Sequence, residues 1–91
     1  MKVKIGECGV DAGLLIVGDP CYFVGRDAVI NERCAGWDQA CREKFWGNPD
    51  AQSFDVYGLG VAVPTTHGDG VYPVYLETGH TGRRRLIVEL D

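Results

Sequence analysis

Short alternations of apolar and polar residues, broken by glycine and proline, run through most of the chain and predict strands. Lys2-Val3-Lys4-Ile5-Gly6 alternates charged with branched side chains, as a half-buried strand does. Leu14-Leu15-Ile16-Val17 is continuously apolar, which suits a strand covered on both faces, and Gly18-Asp19-Pro20 ends it. Cys21-Tyr22-Phe23-Val24 then predicts a short third strand, whereas residues 27–30 fit either a strand or the start of a helix.

The second half repeats the strand pattern. Residues 54–63 alternate so that Gly58, Gly60 and Ala62 share one face, and we predict one strand whose small face packs against a helix carrying Trp37 or Trp46. The Asp-Gly pair in His67-Gly68-Asp69-Gly70 predicts a hairpin that returns as a strand over residues 71–77.

Pro73 lies inside that returning strand and has no backbone donor, which predicts an edge strand or a bulge. A turn over residues 78–82 leads to a last strand over residues 83–90, so that the second half is predicted to be a three-stranded antiparallel meander.

Helical spacing of apolar residues occurs at Trp37, Ala40, Cys41 and Phe45. It predicts one helix over roughly residues 33–46, ended by a left-handed Gly47 and by Pro49. The fold class is therefore predicted to be α+β: a small curled antiparallel sheet of about five to six strands, closed as a sandwich or partial barrel, with one helix.

Composition limits the classes of function. A chain of 91 residues that is 45% hydrophobic predicts one domain over residues 1–91. The net charge of -4 argues against nucleic acid as the main partner. No apolar run approaches the roughly 20 residues of a membrane helix, so we expect no membrane partner and a cytoplasmic location.

Four cysteines, at positions 8, 21, 34 and 41, have spacings that specify neither a zinc knuckle nor a disulfide framework. We expect free thiols and neither a metal nor a cofactor.

Two turn clusters carry the candidate chemistry. Aspartates such as Asp19 and Asp69 commonly accept hydrogen bonds from backbone amides in turns, and this is the role we expect first. If the two turns meet, Asp19, His67 and Asp69 form a hard metal site or an acid-base pair, and Cys21 with His67 forms a nucleophilic dyad. Either arrangement predicts a metal- or Cys/His-dependent hydrolase as an alternative function.

Arg83-Arg84-Arg85 is the only concentrated positive charge. If this run lies on a strand, it indicates either a charged edge that blocks the addition of another strand or an anion-binding site. In the second case Arg83 and Arg85 share a face of the strand. Tyr72 can supply a stacking face beside such a site, and is equally suited to a core.

Residues 12–22, which contain Gly18-Asp19-Pro20-Cys21-Tyr22, and residues 68–75, which contain Gly68-Asp69-Gly70-Val71-Tyr72-Pro73-Val74-Tyr75, carry a resemblance. They resemble short uncharacterised proteins of bacteriophage and bacterial genomes, related to a longer bacterial domain of unknown function. The resemblance implies a phage-type cytosolic setting and implies no catalytic residues.

The sequence as a whole favours a small non-enzymatic binding protein that inhibits or sequesters a host protein or a small anionic ligand. Alternatives are the hydrolase above and a structural or assembly component. A homo-oligomer is expected because small domains gain stability by pairing, here through the strand marked by Pro73. The candidate binding residues are Asp19, His67, Asp69, Tyr72, Arg83 and Arg85.

Overall fold

The computed structural model describes residues 1–65 and 67–90. The chain divides into two compact units, the first formed by Met1–Leu14 with Thr65–Asp91 and the second by Leu15–Pro64. Each unit is described by itself. The elements are β1 (Lys2–Val10), β2 (Leu14–Gly18), α1 (Pro20–Phe23), α2 (Val29–Glu32), α3 (Trp37–Lys44), β3 (Phe54–Val56), β4 (Gly60–Pro64), β5 (Gly70–Thr78) and β6 (Arg84–Val88). The α+β class is confirmed, with two small three-stranded sheets, while the sandwich or barrel and the single domain stay predictions.

The sheet of the first unit has the order β1-β5-β6, with antiparallel pairing on both sides of β5. Strand β1 continues to Val10, beyond the predicted end at Gly6, and its register shifts between Lys4 and Gly6. Ile5 is therefore the extra residue of a β-bulge. Val10 and Tyr72 are the buried side chains of this unit.

Pro73 lies in a central strand, so the edge-strand prediction is wrong for β5 as a whole. The Pro73 carbonyl accepts a hydrogen bond from Glu89 N at 3.1 Å, but proline has no N–H to return one. The β5–β6 ladder consequently stops at the pair Val74 and Val88. The proline thus ends the neighbouring strand and leaves its own strand paired with β1.

The predicted hairpin at Asp69-Gly70 is also wrong, because β4 and β5 belong to different sheets and the predicted meander is not formed. The left-handed residue of this turn is Gly68, with φ 71°, whereas Gly70 begins β5. The Gly68 carbonyl accepts hydrogen bonds from Thr65 Oγ1 at 2.6 Å and from Tyr72 Oη at 2.7 Å. The turn is fixed by these two hydroxyls instead of by strand pairing.

The turn predicted over residues 78–82 is confirmed and joins β5 to β6 as a hairpin. Gly79 N donates to Arg83 O at 2.8 Å, and Gly82, with φ 79°, donates to Gly79 O at 3.2 Å.

In the second unit β4 lies between β2 and β3. The single strand predicted over residues 54–63 is two strands, because Tyr57 and Gly58 both have positive φ, 53° and 75°. Two such residues make a type I′ turn, which Leu59 N closes by donating to Val56 O at 2.9 Å. Strands β3 and β4 therefore pair as a hairpin, with Phe54 opposite Ala62 and Val56 opposite Gly60.

Residues 21–24 are predicted to be a strand, but Cys21, Tyr22 and Phe23 lie in α1 and Val24 is its C-cap. Pro20 occupies the first helical position, where its missing donor has no cost, and the Asp19 side chain accepts from Cys21 N. The short helix sets the Phe23 ring over two glycines: a Cβ on Gly18 would meet the ring first, and one on Gly60 would lie 2.6 Å from Val17 O and 2.9 Å from Phe23 Cζ.

Trp37 packs on the Phe23 ring edge to face, with ring centroids 6.5 Å apart.

Helix α3 is shorter than the predicted 33–46 because Gly36 has φ 91° immediately before it. The predicted cap is confirmed: Phe45 N and Trp46 N both donate to Cys41 O, and Gly47 has φ 76°. The buried side chains of the second unit are those of Ala28, Ile30, Ala40, Cys41, Val56 and Ala62.

Candidate functional site

Asp19 is exposed and has the local role expected of a turn aspartate. Its Oδ1 accepts a hydrogen bond from Cys21 N at 2.9 Å and caps α1. His67 and Asp69 are exposed in the turn that precedes β5 and belong to the other unit. The predicted meeting of the three residues therefore stays a prediction. Within residues 1–65 and 67–90, no group of three or more His, Cys, Asp or Glu side chains could hold a metal ion.

The predicted anion site brings exposed arginines beside carboxylates. Arg85 Nη1 lies 3.8 Å from Glu77 Oε1, so the charge of one of the two candidate guanidinium groups is offset by a neighbour on the next strand. Arg83 is exposed just before β6. Tyr72 is 4% exposed and its hydroxyl is bound to Gly68 O, so its ring is not presented for stacking.

The charged face of the first sheet is balanced around Lys2. Lys2 Nζ lies 2.8 Å from Glu89 Oε1 and 4.4 Å from the centroid of the Tyr75 ring. The hydrogen bond to Glu89 raises the pKa of Lys2 above 10.5, and desolvation opposes this effect. Lys4 and Glu7 form a further pair at 3.5 Å. These pairs are exposed and contribute little to stability, but they leave this face without a concentrated charge of either sign.

The opposite face of the same sheet is apolar and incompletely covered. Val3 lies directly opposite Leu76, and Leu76 opposite Leu86, so that the three form one row across all three strands. We name this the apolar row. Val3 is 49% exposed and Leu86 is 55% exposed, although both lie on the face that buries Tyr72.

Val74 and Val88 form the next pair on this face, and Arg84 is its one charged residue among the three strands. Sequence analysis missed the row because β1 was predicted to end at Gly6 and its pairing with β5 has no local signal.

A second surface lies in the second unit, where α3, β3 and the type I′ turn enclose a cleft of about 240 Å³. Its floor is formed by Ala40, Phe54 and Val56, and its rim by Glu43, Lys44, Asp55 and Tyr57. Desolvation and the nearby negative charge of Glu43 raise the pKa of the Tyr57 phenol above 10.0. The sequence signal for this cleft is the dipeptide Tyr57-Gly58, which indicates the cleft only if it is interpreted as a turn instead of as part of a strand.

All four cysteines are free thiols, with Cys21 exposed and Cys41 buried. Burial, together with the charge of Asp38, raises the pKa of the Cys41 thiol above 9.0. Cys41 is therefore an unreactive core residue of α3.

Comparison with known proteins gives no relative: no family model, curated protein or solved structure matches the chain. In the part of the chain that the structure describes, no helix has the length and apolar character needed to cross a membrane.

Proposed function

We propose that the chain is a small non-enzymatic binding protein that works as a homodimer, paired through the apolar row. The observation that carries this proposal is the exposure of Val3 and Leu86 on the core-facing side of an otherwise amphipathic sheet. Exposed apolar residues that form a contiguous patch mark interaction surfaces more often than single exposed apolar residues do.

A second copy of the chain is the occupant that fits this face best. The apolar row itself carries no charge, so two copies whose rows pack against each other bury no charge within the row. Arg84, the one charged residue of this face, lies at the end of the sheet, opposite Thr78. A charged ligand or a basic partner would gain nothing from such a surface.

The expected affinity is modest. Full burial of a large apolar side chain is worth roughly 1.5–3 kcal/mol, so Val3 and Leu86, each half exposed, contribute roughly 1 kcal/mol apiece in each subunit. The half-buried Val74, Leu76 and Val88 add to this. Against an association cost of roughly 4 kcal/mol or more, we expect a dissociation constant between micromolar and millimolar.

The binding target is proposed to be a host protein rather than a small anionic ligand, since Arg85 is offset by Glu77 and the chain carries a net charge of -4. The phage-type, cytoplasmic setting implied by the resemblance is part of this proposal.

Sedimentation velocity from micromolar to millimolar concentration tests the dimer, using Leu86→Glu against the matched control Val71→Glu. Val71 is also an exposed apolar residue of the same sheet, 64% exposed, but lies on the opposite face. We expect a concentration-dependent dimer for the unmutated protein and for Val71→Glu, and a monomer for Leu86→Glu. A monomer throughout for the unmutated protein, or equal weakening by both variants, would contradict the proposal.

A further inference from the structure

The cleft of the second unit combines an apolar floor with acidic groups at its rim. Ala40 and Val56 are buried, 4% and 1% exposed, and Phe54 is half-buried beside them, so the floor can cover a short aliphatic segment. At about 240 Å³ the cleft is smaller than the roughly 300–1,000 Å³ of a typical small-molecule site. The size therefore fits a single side chain better than a cofactor.

The two rim carboxylates are held in place yet retain acceptor capacity. Glu43 Oε1 accepts from Gln39 Nε2 at 2.9 Å, and Asp55 Oδ2 accepts from Gly58 N at 2.7 Å. In residues 1–65 and 67–90 no cation lies within 4 Å of either carboxylate, that of Lys44 included. One oxygen of each group is thus available for a donor supplied from outside.

Tyr57 forms the wall of the cleft and is rigidly placed. It has φ 53°, which is uncommon outside glycine, and the turn that imposes this value is closed by the bond from Leu59 N to Val56 O and by the Asp55–Gly58 bond. The ring, 39% exposed, presents an aromatic surface next to the carboxylates. An aromatic ring and carboxylates above an apolar floor suit a cation carried on an aliphatic stem.

We propose that this cleft binds a basic side chain, that of lysine or arginine, presented by a partner protein. The inference rests on the proposed binding function and names the chemistry of the partner. The methylene groups pack on Ala40, Phe54 and Val56, while the ammonium or guanidinium donates to Glu43 and Asp55. The net charge of -4 attracts such a partner over longer range.

The test is a titration of the isotope-labelled protein with N-acetyl-arginine N-methylamide, followed by amide chemical shifts. N-acetyl-citrulline N-methylamide, the neutral analogue of nearly the same shape, is the ligand control. We expect saturable shifts at Asp55, Tyr57 and Gly58 with the arginine probe only. Equal shifts with the citrulline probe, or none with arginine, would overturn the proposal.

Matched variants test which carboxylates bind the cation of the arginine probe. Glu43→Gln with Asp55→Asn keeps the shape and the acceptor for Gly58 N, and we expect affinity to fall by about tenfold or more because two charge-assisted hydrogen bonds are lost. Asp38→Asn removes an exposed carboxylate at the start of the same helix and should leave the affinity nearly unchanged. An equal loss in Asp38→Asn would show that net charge, and not the cleft, holds the probe. Leu86→Glu separates the two proposals, since it removes the dimer and should bind the probe as before.

Discussion

Replacing Gly60 with alanine sets a methyl group against backbone that cannot move aside. Its Cβ would lie 2.6 Å from Val17 O and 2.9 Å from Phe23 Cζ, both well inside van der Waals contact. Such overpacking costs roughly 1–3 kcal/mol, while exchanging glycine for alanine in a strand returns roughly 0.5–1 kcal/mol. We expect a net loss of about 1–2 kcal/mol in the free energy of unfolding, or a melting temperature lower by roughly 4–8 °C per kcal/mol.

Gly18→Ala gives the contrasting case. The three atoms nearest to its added Cβ all belong to the Phe23 ring, and no backbone atom is among them. In a Phe23→Leu background the clash at Gly18 should therefore be largely relieved, because the closest atom, Cε2, is removed, whereas the clash of Gly60→Ala with Val17 O should remain. Urea denaturation of the three single and two double variants measures this as a coupling energy, expected to be large for Gly18 with Phe23 and small for Gly60 with Phe23.

Gly9→Ala is the control, because a Cβ at Gly9 has nothing within 4 Å. It should leave stability unchanged or raise it slightly. If Gly60→Ala is as stable as Gly9→Ala, Gly60 is not closely packed against its neighbours. If Phe23→Leu restores the stability of Gly60→Ala fully, the contact with Val17 O is not the cause of the loss.

Tyr72→Phe should lower the free energy of unfolding by roughly 0.5–1.5 kcal/mol in urea titrations, since it removes the hydrogen bond to Gly68 O; no loss would contradict that role. Asp19→Ala should cost roughly 0.5–2 kcal/mol through the lost cap of α1, and Asp19→Asn should recover most of it; equal losses would exclude capping. Iodoacetamide should label Cys21 in the folded protein and Cys41 only after unfolding. The pKa of Cys41 is raised on folding, so the folded state holds that proton more tightly; the contribution of this thiol to stability should be fully present below pH 9.0 and be lost as the pH rises above it, so that stability falls less steeply there in Cys41→Ala.

Local signals in the sequence predicted the local structure. Gly47 was identified as a left-handed cap because helix periodicity ended beside it, and the turn over residues 78–82 followed from its glycines. Leu14–Gly18 was recognised as a strand from its apolar run. In each case the information lies within a few residues of the feature.

Pairing between distant segments was not predictable in the same way. Asp69-Gly70 has the composition of a hairpin turn, yet β5 pairs with β1, which lies more than sixty residues earlier in the chain. The long-range pairing overrides the local propensity because eight residue pairs join β5 to β1 along nearly the whole length of β5. The apolar row follows from that pairing, so no local pattern could reveal it.

For the cleft, the missed feature is a local turn and not a long-range pairing. Tyr57-Gly58 lies at the start of the alternation over residues 57–63, which predicts a strand although Asp55 can cap a turn there. Two consecutive positive φ values divide it into a hairpin and bring Tyr57 beside α3.

The pairing of two copies through the apolar row can be tested by photo-cross-linking of the purified protein, because a cross-link reports where two copies touch. Benzoylphenylalanine is placed at position 86, in the apolar row, or at position 71, exposed on the opposite face. If two copies pair through the apolar row, we expect a covalent dimer of two 9.9 kDa chains from position 86 and monomer from position 71. Monomer from position 86, or equal dimer from both positions, would contradict it.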